Sequence, residues 1–145
     1  MSLDDFVNGL QAEIDAQARA DYGEEAFARW KNPLYMGAMD APDAHGRVTG
    51  TCGDTMQVFL RVVDGRVAEA TFLTDGCGPS AVCGSFAAEM ARGRKLDDLA
   101  DFAGEEILAR TGGLPEDDRH CAFLAAGAVR AAVDDYMARA AGRGC

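Results

Sequence analysis

The chain has 145 residues, 48% of them apolar and only 4 of them proline, which fits one folded domain with a sizeable core and argues against a disordered or collagen-like chain. A formal net charge of −10 and a pI near 4.5 would repel phosphate backbones, so a nucleic-acid partner is not expected; the acidic surface serves solubility, or a face that meets basic partners. No apolar run approaches the length that spans a bilayer, and the acidic opening Met1-Ser2-Leu3-Asp4-Asp5 is unlike a secretory leader, so neither membrane nor export is expected.

Leu3, Phe6, Val7, Leu10 and Ile14 recur at helical spacing, predicting an amphipathic helix from Ser2 to about Ala20, broken at Asp21-Tyr22-Gly23. A second short helix is predicted from Glu24 to about Lys31, stopped by Asn32-Pro33. The ordinary use of both stripes is packing on the core; the alternative is a docking helix for a partner. Leu34 to Gly46 reads as a loop. Three strands are then predicted: Arg47 to Cys52, Thr55 to Val63 with Met56, Val58, Leu60 and Val62 on one face, and Val67 to Thr74. Asp64-Gly65 supplies the turn of a hairpin, so the sheet is an antiparallel meander.

Beyond Thr74 the pattern turns helical. A helix opens around Gly78-Pro79 with Cys83, Phe86, Ala87 and Met90 on its apolar stripe, and ends at Arg92-Gly93. Two short helices are predicted over Leu96 to Phe102 and Glu105 to Arg110. After the break at Thr111 to Pro115, Asp117 or Asp118 can cap a long last helix reaching about Ala141. Its inward stripe is Cys121, Leu124, Ala125, Ala128 and Ala132, with Arg130, Asp134 and Arg139 toward water. The expected fold is α+β: a three-stranded antiparallel sheet packed against helices on one side, with a long C-terminal helix.

The five cysteines, Cys52, Cys77, Cys83, Cys121 and Cys145, are odd in number and dispersed, unlike a secreted disulfide scaffold. Reduced thiols in the cytoplasm are the better reading, where such residues bind metal or do chemistry. Cys52, Cys77 and Cys121 fall at the ends of predicted elements. Cys77 is flanked by glycines that let backbone amides approach its sulfur, and Cys121 falls near the positive end of a helix, an environment that favours thiolate. Asp54 adds a hard oxygen near Cys52, and His120 adds an imidazole beside Cys121. Three thiolates with histidine or aspartate suit zinc or an iron–sulfur cluster; unrelated buried thiols are the alternative. No Cys-x-x-Cys pair occurs, so neither a zinc ribbon nor a ferredoxin pattern fits. A site gathered from distant loops with a carboxylate suggests labile ligation.

From about Glu24 to Met137 the chain resembles the IscU/NifU-type iron–sulfur cluster assembly scaffolds. The resemblance rests on Asn32-Pro33, Thr49-Gly50-x-Cys52-Gly53-Asp54, Asp64-Gly65, Thr74-x-Gly76-Cys77-Gly78, Gly113-Leu114-Pro115 and His120-Cys121. On it, residues 1–23 read as an N-terminal helical extension and 24–145 as the NifU-like scaffold domain. The resemblance implies a scaffold, not an enzyme, that accepts persulfide sulfur from a cysteine desulfurase and iron from an iron donor. A labile [2Fe-2S] cluster, or a [4Fe-4S] cluster, is built there and passed to apo iron–sulfur acceptor proteins. It implies Cys52, Asp54, Cys77, His120 and Cys121 as the cluster and metal site, with Asp54 keeping the cluster exchangeable, Cys121 accepting the persulfide, and zinc able to take the place of iron.

The chain departs from that family at several points. Leu114-Pro115-Glu116-Asp117-Asp118 stands where many members carry the Leu-Pro-Pro-Val-Lys segment read by an Hsp70-type chaperone, which puts that partner in question. Cys83 stands where a small serine or alanine is usual and is expected to be a buried structural thiol; a spare thiol that relays persulfide or pairs with Cys77 is the alternative. Cys145 is expected to be incidental. The runner-up function is a zinc-dependent sulfurtransferase of the SufU type. Those proteins carry an insertion between the second and third cysteine regions and lack the histidine before the last cysteine, whereas here His120 is present and the Cys77 to Cys121 interval is compact.

Overall fold

A computed structural model describes residues 2–76 and 78–143, the Arg143 side chain excepted. The order is α1 (Leu3–Tyr22), α2 (Glu24–Lys31), β1 (Ala44–Thr49), β2 (Thr55–Val63), β3 (Arg66–Thr74), α3 (Gly78–Ala91), α4 (Leu96–Leu99), α5 (Gly104–Thr111), a single 3-10 turn (Glu116–Asp118) and α6 (His120–Arg143). The strands form one antiparallel sheet in the order β1-β2-β3, and α3 and α6 pack on it, giving the expected α+β architecture with its long C-terminal helix. No helix among the described residues is long and apolar enough to cross a membrane.

The hairpin follows from its turn chemistry. Asp64 and Gly65 both hold positive φ, 54° and 76°, the conformation that matches the twist of flanking strands and that Asp-Gly tolerates. Alternation then sets the faces: Met56, Val58 and Leu60 of β2, with Val67, Ala70 and Phe72 of β3, are buried against the helices. On the other face His45 stacks on Phe59 at 4.7 Å and meets Gln57 Oε1 at 2.8 Å.

Three features differ from the sequence expectations. First, β1 starts at Ala44 and ends at Thr49, so Cys52 lies within the turn to β2 and not at a strand end. The turn is closed by Gly50 N–H to the Asp54 carbonyl at 2.8 Å and Gly53 N–H to the Gly50 carbonyl at 3.0 Å. Second, the expected loop 34–46 holds a backbone bridge to β3, with Gly37 N–H donating to the Phe72 carbonyl and Phe72 N–H to that of Tyr35. Third, the α1 stripe is not on the core. Leu3, Phe6, Val7, Leu10 and Ile14 are all exposed, and Tyr22 is the buried residue of the helix. Periodicity aligns a stripe but does not supply a surface to cover it.

The interior is built on small residues. α3 is buried almost all round from Pro79 to Ala88, and Gly84 leaves room for the Phe72 ring, whose Cδ2 would stand 2.3 Å from a Cβ there. The inward stripe of α6 is the expected one, Cys121, Leu124, Ala125, Ala128 and Ala132, all buried. Phe86 of α3 is fully buried between two cations: Arg29 of α2 lies 4.0 Å and Arg110 of α5 4.8 Å from its ring centroid. Arg29, itself 4% exposed, reaches Glu89 at 2.7 Å and Ser85 at 3.3 Å, and Arg110 pairs with Glu25 at 2.6 Å and Glu89 at 3.0 Å. This network joins α2, α3 and α5.

The Arg110 guanidinium holds the Glu25 carboxyl below its ordinary value of 4.5. Because the folded value is the lower one, the stabilisation is complete above that pH and is lost as pH falls through the depressed value. Glu25 is more than half exposed, so screening keeps the effect small. We expect Glu25→Gln to lower Tm by about 1–2 °C at pH 7, corresponding to ~0.5 kcal/mol. The difference should vanish at an acidic pH below the depressed value, where Glu25 is protonated in both folded and unfolded chains. Thermal melts followed by circular dichroism at the two pH values check it; an equal deficit at both would contradict the linkage.

Candidate functional site

Two turns and a helix start meet at one end of the sheet. The β1–β2 turn carries Cys52 and Asp54, the segment after β3 carries Gly76 and Gly78, and α6 opens with His120 and Cys121. The first two are stapled through Thr55: its N–H donates to Asp75 Oδ1 at 2.7 Å, and its carbonyl accepts from Thr74 Oγ1 at 2.9 Å. Thr74 Oγ1 in turn accepts from Gly76 N–H at 3.0 Å. The Thr-x-Gly spacing is thus a local turn device that fixes how the chain leaves β3.

Asp54, His120 and Cys121 come together. Cys121 is 1% exposed, and its Sγ lies 3.6 Å from His120 Nε2 and 3.5 Å from the Ser80 hydroxyl. Ser80 Oγ also donates to Asp54 Oδ2 at 3.3 Å, so the polar chain runs from imidazole through thiol and hydroxyl to carboxylate. Cys52 is exposed on its turn and faces His120 across a cleft of about 280 Å³ that is also lined by Val48, Phe123 and Leu124. Cys77 lies outside the described residues, as does Cys145. Among the described residues no group of three or more His, Cys, Asp or Glu side chains is assembled into a metal-binding cluster. What converges is therefore a partial donor set: one buried thiol, one imidazole and one half-buried carboxylate, with Cys52 on the rim. Soft sulfur beside hard oxygen suits borderline ions such as iron and zinc, held less firmly than by four thiolates.

Ser80 went unremarked at the sequence level. It stands three residues beyond Cys77 in the sequence, and that spacing is the signal that could have found it. Two aromatic residues were also missed. Trp30 of α2 packs against Gly78, where a Cβ would come within 2.4 Å of its indole. Tyr22 packs edge-on against Trp30 at 4.9 Å and donates its hydroxyl to Asp118, two residues before His120. Asp118 therefore holds α1 to the approach of α6, a use different from the expected cap. Cys83 is fully buried, as expected for a structural thiol, and burial pushes its pKa well up, reinforced by Cys121 and Asp118. It is kept a thiol, which is a poor nucleophile and a poor ligand.

The profile of the NifU-like N terminal domain matches residues 21–142. An iron-sulfur cluster assembly scaffold protein, IscU 1 of Archaeoglobus fulgidus, is 33% identical over 117 residues, covering 80% of this chain and 76% of that protein. The iron-sulfur cluster assembly scaffold protein IscU of Haemophilus influenzae is 33% identical over 123 residues, covering 81% of this chain and 97% of that protein. In fold the chain is similar to the crystal structure of the N-terminal part of a nitrogen-fixing NifU-like protein from Brucella abortus, with a TM-score of 0.64 and 22% identity over 83% of this chain and 97% of that one. A profile match over most of the sequence and relatives of this identity agree with the ordered Cys-Gly-Asp, Gly-Cys-Gly and His-Cys motifs, and the chain belongs to the NifU-like N-terminal domain family.

Proposed function

We propose that this chain is a scaffold on which an iron–sulfur cluster is assembled and from which it is handed to apoproteins. The observation that supports it is the meeting of Asp54, His120 and Cys121, which come from a turn and a helix start far apart in sequence and lie within one chain of 3.3–3.6 Å contacts. In this reading Cys52, Asp54, Cys77, His120 and Cys121 hold the cluster, and a cysteine desulfurase, an iron donor and apo iron–sulfur proteins are the partners, in the cytoplasm. The cluster is cargo and not a resident cofactor: [2Fe-2S] in the first instance, with zinc able to occupy the same donors.

Cys121 is assigned the persulfide. Its thiolate attacks the outer sulfur of the desulfurase persulfide, forming a new S–S bond on Cys121 while the old one breaks and the desulfurase cysteine leaves as thiolate. The transferred sulfur takes up two electrons from an external reductant to become cluster sulfide. Cys121 is 1% exposed, so the attack requires the sulfur to be uncovered as the desulfurase docks.

The test is anaerobic reconstitution with ferrous iron, cysteine and a cysteine desulfurase, read as visible cluster absorbance and as transfer to an apo-ferredoxin. We expect cluster on the wild type and loss of the covalent persulfide, measured by intact mass, on Cys121→Ser. Tight zinc with stimulation of the desulfurase and no cluster would replace this reading with the SufU-type sulfurtransferase.

A further inference from the structure

Ser80 is an unusual neighbour for the site. It is fully buried in the first turn of α3, yet its hydroxyl stands between the Asp54 carboxylate and the Cys121 sulfur, 3.3 Å from Oδ2 and 3.5 Å from Sγ. The contact is built into the fold on its other side as well. A Cβ on Gly76 would lie 2.5 Å from Ser80 Oγ and 2.9 Å from Asp54 Oδ2, so only a bare backbone there lets hydroxyl and carboxylate meet. A hydroxyl has one proton to donate, and a carboxylate is the stronger of its two acceptors.

We propose that Ser80 is a positioning residue that competes with iron for the Asp54 carboxylate and thereby sets how readily the site releases a cluster. The proposal rests on the scaffold reading above. Asp54 and Cys121 would hold iron with the Ser80 hydroxyl within hydrogen-bond distance of both, so the hydroxyl and the metal would share the same carboxylate. Either the hydrogen bond to Oδ2 breaks when iron arrives, and re-forms as iron leaves, or it persists and draws charge from the ligating oxygen. In both cases the iron–oxygen bond is weaker for the presence of the hydroxyl. Ser80 thus gives Asp54 a second partner to return to, through the same hydroxyl that contacts Cys121.

The experiment is a double-mutant cycle on the full chain, comparing wild type, Ser80→Ala, Asp54→Ala and the double variant. Ser80→Ala removes one oxygen, fits the same helical turn, and leaves Asp54 in contact with water, so the fold is retained. Each protein is loaded with cluster anaerobically; the half-life of its absorbance under a chelator and the rate of transfer to an apo-ferredoxin are measured. We expect Ser80→Ala to lengthen the half-life and slow transfer several-fold, and to change neither in the Asp54→Ala background. A shortened or unchanged half-life, or an equal change in both backgrounds, overturns the role of Ser80. The scaffold reading fails separately: no cluster on the wild type would remove both ideas, whereas a cluster retained by Asp54→Ala but not by Ser80→Ala would remove only this one. A merely structural contribution of Ser80 would shift the melting temperature but would not disappear with Asp54.

Discussion

Replacing Asp54 with alanine is expected to lengthen the lifetime of a bound cluster by about tenfold, equivalent to ~1.4 kcal/mol in the barrier to release. In the proposed scaffold role Asp54 is the hard oxygen donor beside sulfur and imidazole, and a carboxylate is the weaker partner for the soft iron of a cluster. It is also half-buried and already hydrogen-bonded to Ser80, so it opens a point at which water or an acceptor thiolate can enter. Alanine removes that exchangeable donor, and the sulfur and imidazole donors of the proposed site are expected to keep the cluster. The measurement is the decay of cluster absorbance under a chelator together with transfer to an apo-ferredoxin; unchanged transfer would show that Asp54 does not govern release.

The largest effect on stability is expected at Gly46. This residue of β1 packs backbone to backbone on α6: a Cβ there would meet the Ala128 carbonyl oxygen and the Ala132 nitrogen at 2.4 Å each. Neither is the end of a flexible side chain, so strand and helix would have to separate. Gly46→Ala should destabilise by about 3 kcal/mol, the upper range for overpacking, and lower Tm by roughly 6–12 °C. Gly127→Ala provides the contrast within the same helix. Its Cβ would meet only the Arg130 guanidinium at 3.7 Å, and alanine is the better helix former by ~0.5–1 kcal/mol, so Tm should rise by a few degrees. Denaturant unfolding of the two variants separates the cases, and equal effects would contradict the packing assigned to β1 and α6.

The two predictions share a cause. The same close approach of α6 to β1 at Gly46 positions the first turn of α6, and with it Cys121, against the turn that carries Cys52 and Asp54. A loosened Gly46 contact should therefore cost cluster binding as well as stability. The aromatic pair Tyr22 and Trp30 works from the other side, one holding the approach to His120 through Asp118 and the other lying over Gly78. This is where the N-terminal helices touch the site, whereas the apolar face of α1 further out is in contact with water.

Much of the molecule was readable from the sequence because the signals are local. Alternation with Asp64-Gly65 between its halves specifies the hairpin, since that dipeptide takes positive φ at little cost and the alternating residues then share a face. Helical spacing predicted the buried stripe of α6, and the Cys-Gly-Asp and His-Cys motifs fall on the β1–β2 turn and the start of α6. What depended on contacts between distant segments was not readable. The stripe of α1 has the same spacing as a core-facing one, and only the packed chain decides that nothing among the described residues covers it. Arg29 reads as a surface charge on a short helix, yet it is buried because Phe86, Ser85 and Glu89 of another helix satisfy its cation. Ser80 reads as a helix-start residue; its meaning comes from an aspartate 26 positions before it and a cysteine 41 positions after it. Local sequence determined which groups this protein can bring to an iron–sulfur site, and tertiary packing decided which of them touch, because hydrogen bonds and desolvation act through space.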